Sequence, residues 1–156
     1  MKHTSSIFLI SLLLAAALLP AAAAGETLEC IAPQGQYVNV RSRASSDASA
    51  RGILHAGDLI DANPAEIQNG FFKTTYKDRD AYVSVKFFEI AVGADYTVSA
   101  NGRVRMRKSP AGSASGFIQP GRRVHVIAWR YAGDGTKWAR CAGGSYISAD
   151  YLVPVM

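Results

Sequence analysis

The phrase YVNVRS at positions 37–42 returns as RVRMRK at 103–108, and the residues behind it return in the same order. In the first half, YVNVRSRASSDASARGILHAGDLI reads as a strand, a Ser/Ala/Asp loop and a short apolar stretch ending on a glycine turn. In the second, RVRMRKSPAGSASGFIQPGRRVHV repeats that order with a slightly shorter loop. Val38, Val40 and Arg41 correspond to Val104, Met106 and Arg107, and Leu54 and Gly57 to Ile118 and Gly121. NGFFKTTY then corresponds to GTKWARCA, setting Phe71 against Trp138. AYVSVKFFEI corresponds to SYISADYLVP, so that Tyr82, Val83 and Ser84 match Tyr146, Ile147 and Ser148. An ordered internal repeat constrains the fold more than any one motif, because each copy has to be a supersecondary unit in its own right.

The period inside each copy is two. Val38 and Val40 point to one side of YVNVRS, with Tyr37, Asn39 and Arg41 on the other, and VHVIAW alternates in the same manner. Gly, Asn, Asp and Ser clusters separate these runs, and none of the segments after residue 24 carries the pattern of a three-turn helix. The expectation is an all-β chain of two tandem small barrels of about five strands, at 25–92 and 93–156, joined near VGADY. Units of about 60 residues bury only a modest core, so each gains from packing on the other.

Residues 1–24 have a different character. Lys2 and His3 precede the apolar run IFLISLLLAAALLP, and AAAAGE follows, the pattern of an export signal cleaved after Ala24. The run is short for a membrane span, so an exported product without stable membrane insertion is expected, in the periplasm or secreted and wall-associated. Charge is uneven in the remainder. Residues 25–93 hold seven Lys/Arg against nine Asp/Glu, and residues 94–156 hold nine against three, so the net positive charge resides in the second half. Export and a modest net charge argue against nucleic acid as partner.

VNVRS, a small-residue loop, an apolar residue before a glycine turn, NGFFK and AYVSVKFF together resemble the bacterial SH3-type domain family, and SYISADYL in the second copy resembles its closing phrase. The chain departs from the family pattern in three places. Phe71 stands where Trp is usual, residues 103–108 are far more basic, and Cys141 stands where an apolar Val is usual. The resemblance implies two tandem SH3-like barrels in an envelope-associated protein, since such domains often position cell-wall hydrolases on peptidoglycan or its stem peptides. No hydrolase segment is recognisable here, so a freestanding pair of binding domains is expected.

The residues support binding better than catalysis. His55 and His125 do not align between copies, and no metal-binding or C-x-x-C spacing occurs, so neither a metal nor a cofactor is expected. Cys141 and His125 could form a nucleophile pair only if folding brought them together; Cys141 instead fits a core-facing strand position. Cys30 and Cys141 suit either a disulfide in an oxidising compartment or two buried free thiols.

Arg103, Arg105 and Arg107 alternate with Val104 and Met106, lining three guanidinium groups along one strand face that can clamp carboxylate or phosphate, or else guard a solvated edge. Trp129 and Tyr131 share a strand face with His125, opposite Val124 and Val126, and can offer flat surface to an extended ligand. Trp138 and its counterpart Phe71 either join that surface or close one side of each barrel. The expected partner is peptidoglycan or its stem peptides. The alternative is an envelope protein, with the chain as adaptor or as inhibitor of a secreted hydrolase or toxin.

Overall fold

The computed structural model describes residues 25–156; the export signal expected at 1–24 lies outside the described residues. The chain is all-β and SH3-like, with no α-helix among the described residues, and its strands fall in two sheets. In the first half, β1 (Glu26–Cys30) pairs antiparallel with β4 (Leu59–Ala62) and with the start of β7 (Phe88–Val98). The strand β2 (Val38–Arg41) pairs with β3 (Ala50–Leu54) and meets β6 (Arg79–Ser84), which pairs with β5 (Phe71–Tyr76). In the second half, the end of β7 pairs with β10 (Arg123–Tyr131) and β13 (Leu152–Pro154). There β8 (Val104–Arg107) pairs with β9 (Ala114–Ile118) and meets β12 (Tyr146–Ser148), which pairs with β11 (Lys137–Cys141).

The residues matched between the halves pair in the same way. Val38 faces Leu54 as Val104 faces Ile118, and Arg41 faces Tyr82 as Arg107 faces Tyr146. Both copies carry a bulge immediately before the matched arginine. Each arginine reaches onto its own loop: Arg41 Nη1 donates to the Ala48 carbonyl at 2.7 Å, and Arg107 Nη1 to the Gly112 carbonyl at 2.6 Å. A carbonyl so held is satisfied by a charged donor, which fixes a polar loop that has few apolar contacts of its own.

Two cores follow from the alternation. Leu28, Cys30, Val40, Phe72, Val83 and Phe88 fill the first, and Val98, Val104, Cys141 and Ile147 fill a smaller second one, where Ala139 replaces the volume of Phe72. The two cysteines are free and buried in separate cores. No bridge joins them in this structure, and burial raises both thiols, Cys141 to about 11.

The join near VGADY is made within a strand, and further contacts tie the halves together. Residues 92–96 lie inside β7, one continuous strand that serves both halves. Arg140 grips Glu89 with two hydrogen bonds, at 2.6 and 3.1 Å, and Lys137 Nζ lies 2.9 Å from Glu26. Gly70 and Gly133 approach so closely that a Cβ on Gly133 would lie 3.4 Å from the Gly70 Cα.

The placement of Tyr131 corrects the reading of β10. Its register shifts between Val126 and Ala128, inserting an extra residue that reverses which side chains face which way. Trp129 and Tyr131 thus join the side of Val124 and Val126, and His125 is left on the other. Tyr131 is buried in the first half's core, edge-on to Phe72 with ring centroids 5.8 Å apart, and its hydroxyl donates to Glu26. It is a core residue of its neighbour, unavailable to a ligand.

Candidate ligand-binding cleft

The strand β8 and its surroundings frame an open cleft of about 990 Å³ in the second half. Its residues alternate as the sequence requires. Val104 is buried and Met106 packs on the core, so Arg103, Arg105 and Arg107 face outward into the cleft. Arg105 lies directly across the ladder from Phe117 of β9, and Phe117 is half exposed. The Arg103 guanidinium stands over the Phe117 ring at 4.2 Å from its centroid, and Arg105 at 6.0 Å. Stacking on an aromatic face holds an arginine extended while its N–H edges stay free for a ligand.

Arg107 plays a different part. Its Nη1 is engaged by the Gly112 carbonyl, and its guanidinium stands 5.6 Å over Trp138, so it supports the cleft wall. Trp138 is nearly buried, and its Nε1–H donates to Thr136 Oγ1 at 2.9 Å. Thr136 Oγ1 donates in turn to Asp134 Oδ1 at 2.6 Å, with the Thr136 backbone N–H on the same oxygen at 2.9 Å. Those bonds, the side-chain one foremost, hold the Asp134 carboxyl below its ordinary range. The relay fixes the indole as cleft floor with its polar atom already satisfied.

Three of the expected residues lie elsewhere. Tyr131 is in the first core, as described. Trp129 is half-buried against Tyr96, ring centroids 5.3 Å apart, with Lys137 Nζ 5.5 Å from its centroid, and it does not line the cleft. Phe71, half-buried in the first half, is also outside it. Conversely, Phe117, Asp134, Asp150 and Tyr151 line the cleft without having been expected there. For Phe117 the signal was present: Ile118 faces the core, so its neighbour must face out. The two aspartates come from turns, whose direction no strand periodicity gives.

His125 and Cys141 do not meet as a nucleophile and base. His125 Nδ1 lies 2.7 Å from Asp95 Oδ1 on an exposed face, whereas Cys141 points into the core. Among the described residues no cluster of His, Cys, Asp or Glu suits a metal ion, and no helix is long and apolar enough to cross a membrane.

No protein-family model matches the chain, and no curated protein matches it. Among solved structures it is distantly similar to NlpC2 from Trichomonas vaginalis, with 14% identity and a TM-score of 0.37 over 86% of this chain and 50% of that one. NlpC1 from the same organism gives 15% identity and a TM-score of 0.36, over 82% of this chain and 45% of that one. The endolysin LysPBC5 CBD gives 14% and 0.32, over 85% and 94%. The chain spans about half the length of the two T. vaginalis structures. None of these superpositions is close enough to carry a functional assignment.

Proposed function

We propose that this chain is an exported, non-catalytic binding protein that holds peptidoglycan, or its stem peptides, in the cleft of its second half. The reading takes 25–92 and 93–156 as two copies of one SH3-type module, of which the second binds. The observation that carries it is the pair Arg103 and Arg105, stacked on a half-exposed Phe117 in an open cleft, with no carboxylate paired to either among the described residues. Arginine forks bind carboxylates with two parallel hydrogen bonds, and stem peptides end in carboxylates. The positive second half would draw such a polymer in, an attraction that salt weakens. A binder rather than an enzyme is supported by Cys141, whose buried thiol is held protonated, and by His125, which is turned away from it.

The test is co-sedimentation of the purified protein with peptidoglycan sacculi. Wild type is expected in the pellet at low salt, and the double variant Arg103→Ala plus Arg105→Ala in the supernatant. No sedimentation of wild type, with one protein co-purifying from an envelope extract, would favour the adaptor or inhibitor reading instead. Release of soluble fragments from the sacculi would show an enzyme.

A further inference from the structure

The cleft carries charges of both signs and keeps them apart. Arg103 and Arg105 stand on the β8 wall, Asp134 comes from the turn between β10 and β11, and Asp150 from the single 3-10 turn before β13. The ion pairs among the described residues are Lys73–Asp80, His125–Asp95, Lys137–Glu26 and Arg140–Glu89. None of them involves a cleft residue. In the cleft, opposite charges line a common volume without pairing.

The neighbours of the two aspartates leave capacity for a ligand. Thr136 occupies one Asp134 oxygen, Oδ1, and keeps that carboxylate ionised. Asp150 accepts from Ser148 Oγ at 3.2 Å through Oδ2. A polyanion entering the cleft would gain the arginines but meet two like charges, whose repulsion, screened by salt, offsets part of the gain. A ligand with one charge of each sign meets no such opposition. Phe117 and Tyr151, both lining the cleft, offer apolar surface to the chain between its charges.

We propose that the cleft selects a zwitterionic, peptide-like ligand, with a carboxylate on Arg103 and Arg105 and an ammonium on Asp134 and Asp150. This rests on the cleft being the ligand site and narrows what that site accepts: stem peptides whose diamino residue keeps a free amine, over capped or purely anionic material.

The experiment is isothermal titration of the exported chain with three synthetic peptides. The first is N-acetyl-Ala-γ-Glu-Lys-Ala-Ala with the glutamate α-carboxyl amidated, a free lysine amine and a free C-terminus. The second is acetylated on the lysine, and the third is amidated at the C-terminus. Each cap is expected to weaken binding about five-fold, the scale of one partly exposed ion pair. Asp134→Asn plus Asp150→Asn, which keeps an acceptor oxygen at both turns, should abolish the penalty for acetylation and preserve that for amidation. Arg103→Ala plus Arg105→Ala should do the reverse. An acetylation effect below two-fold overturns the proposal, as does an acetylation penalty that survives in the asparagine variant. Failure of the free peptide to bind also overturns it. In that case sedimentation with sacculi would still leave the wall-binding reading standing, and its loss would remove both.

Discussion

Replacing Tyr131 tests whether the second half is part of the first half's core. The residue is 6% exposed, and its ring meets Phe72 edge-on. Its hydroxyl donates to Glu26, which is 30% exposed and also receives Lys137. Tyr131→Ala removes a buried ring beside the largest side chain of that core, which costs about 3–5 kcal/mol including the cavity left behind. Tyr131→Phe keeps the ring and removes one hydrogen bond to a carboxylate that still has Lys137; about 1 kcal/mol is expected. For a chain of this size 1 kcal/mol moves Tm by about 3–5 °C, so the two variants should fall by about 10–20 °C and about 3–5 °C. Calorimetry should show one transition for wild type, because breaking either half exposes the other's core. Alkaline pH adds a check. Burial, and then the bond to Glu26, raises the phenol above its ordinary value. The folded state therefore holds that proton more tightly than the unfolded state does, and the contribution is intact below about pH 10 and lost as pH rises beyond it. Tyr131→Phe should abolish that alkaline loss. An alanine variant within about 1 kcal/mol of wild type would refute the shared core, as would two separate transitions in the wild-type protein.

Arg41→Ala and Arg107→Ala should each destabilise by about 1–2 kcal/mol in urea unfolding, because the loop carbonyls of Ala48 and Gly112 lose their charged donor. Arg105→Ala, with no intramolecular acceptor, should stay within about 0.5 kcal/mol of wild type, and equal losses at 105 and 107 would contradict the division of labour drawn here. Thiol titration with a chromogenic disulfide should find no reactive cysteine in the native protein and both in guanidinium; none in guanidinium would reveal a bridge. Because burial raises the Cys141 thiol to about 11, its contribution is present below the ordinary thiol value and lost as pH climbs through about 11. Cys141→Val should flatten stability across that range in pH-dependent melts.

The fold was legible because each strand has a buried face to satisfy. Val38, Val40, Val104 and Ile147 are buried as a period of two requires, and the repeat carries over into the ladder, bulges included. The outward arginines were legible for the same reason. Legibility failed where parity itself changes. VHVIAW alternates without interruption, yet an extra residue between Val126 and Ala128 reverses the strand's faces, and no side-chain type in that stretch marks it. Tyr131 then looked like surface and proved to be core. What periodicity does not give is that the join near VGADY is itself strand: Gly93, at a φ of 72°, sits in a β7 that continues through it.

The two halves do not present equal surfaces, and packing between them decides which one is free. The ladder equates Trp138 and Ser148 with Phe71 and Ser84, and so, two residues on, Asp150 with Lys86. In the first half that patch adjoins the second. The Lys86 carbonyl accepts from Arg130, and Gly70, beside Phe71, packs against Gly133. The corresponding patch of the second half is not covered by any of the described residues and opens as the cleft. The copies also diverge most on this outward face. Tyr37, Asn39 and Ile53 stand where the second half has Arg103, Arg105 and Phe117, while the inward Val38 and Leu54 keep apolar counterparts in Val104 and Ile118. Core packing constrains the inward pairs and says nothing about the outward ones. The core therefore does not dictate an arginine pair stacked on Phe117, and the ligand role proposed above would account for it.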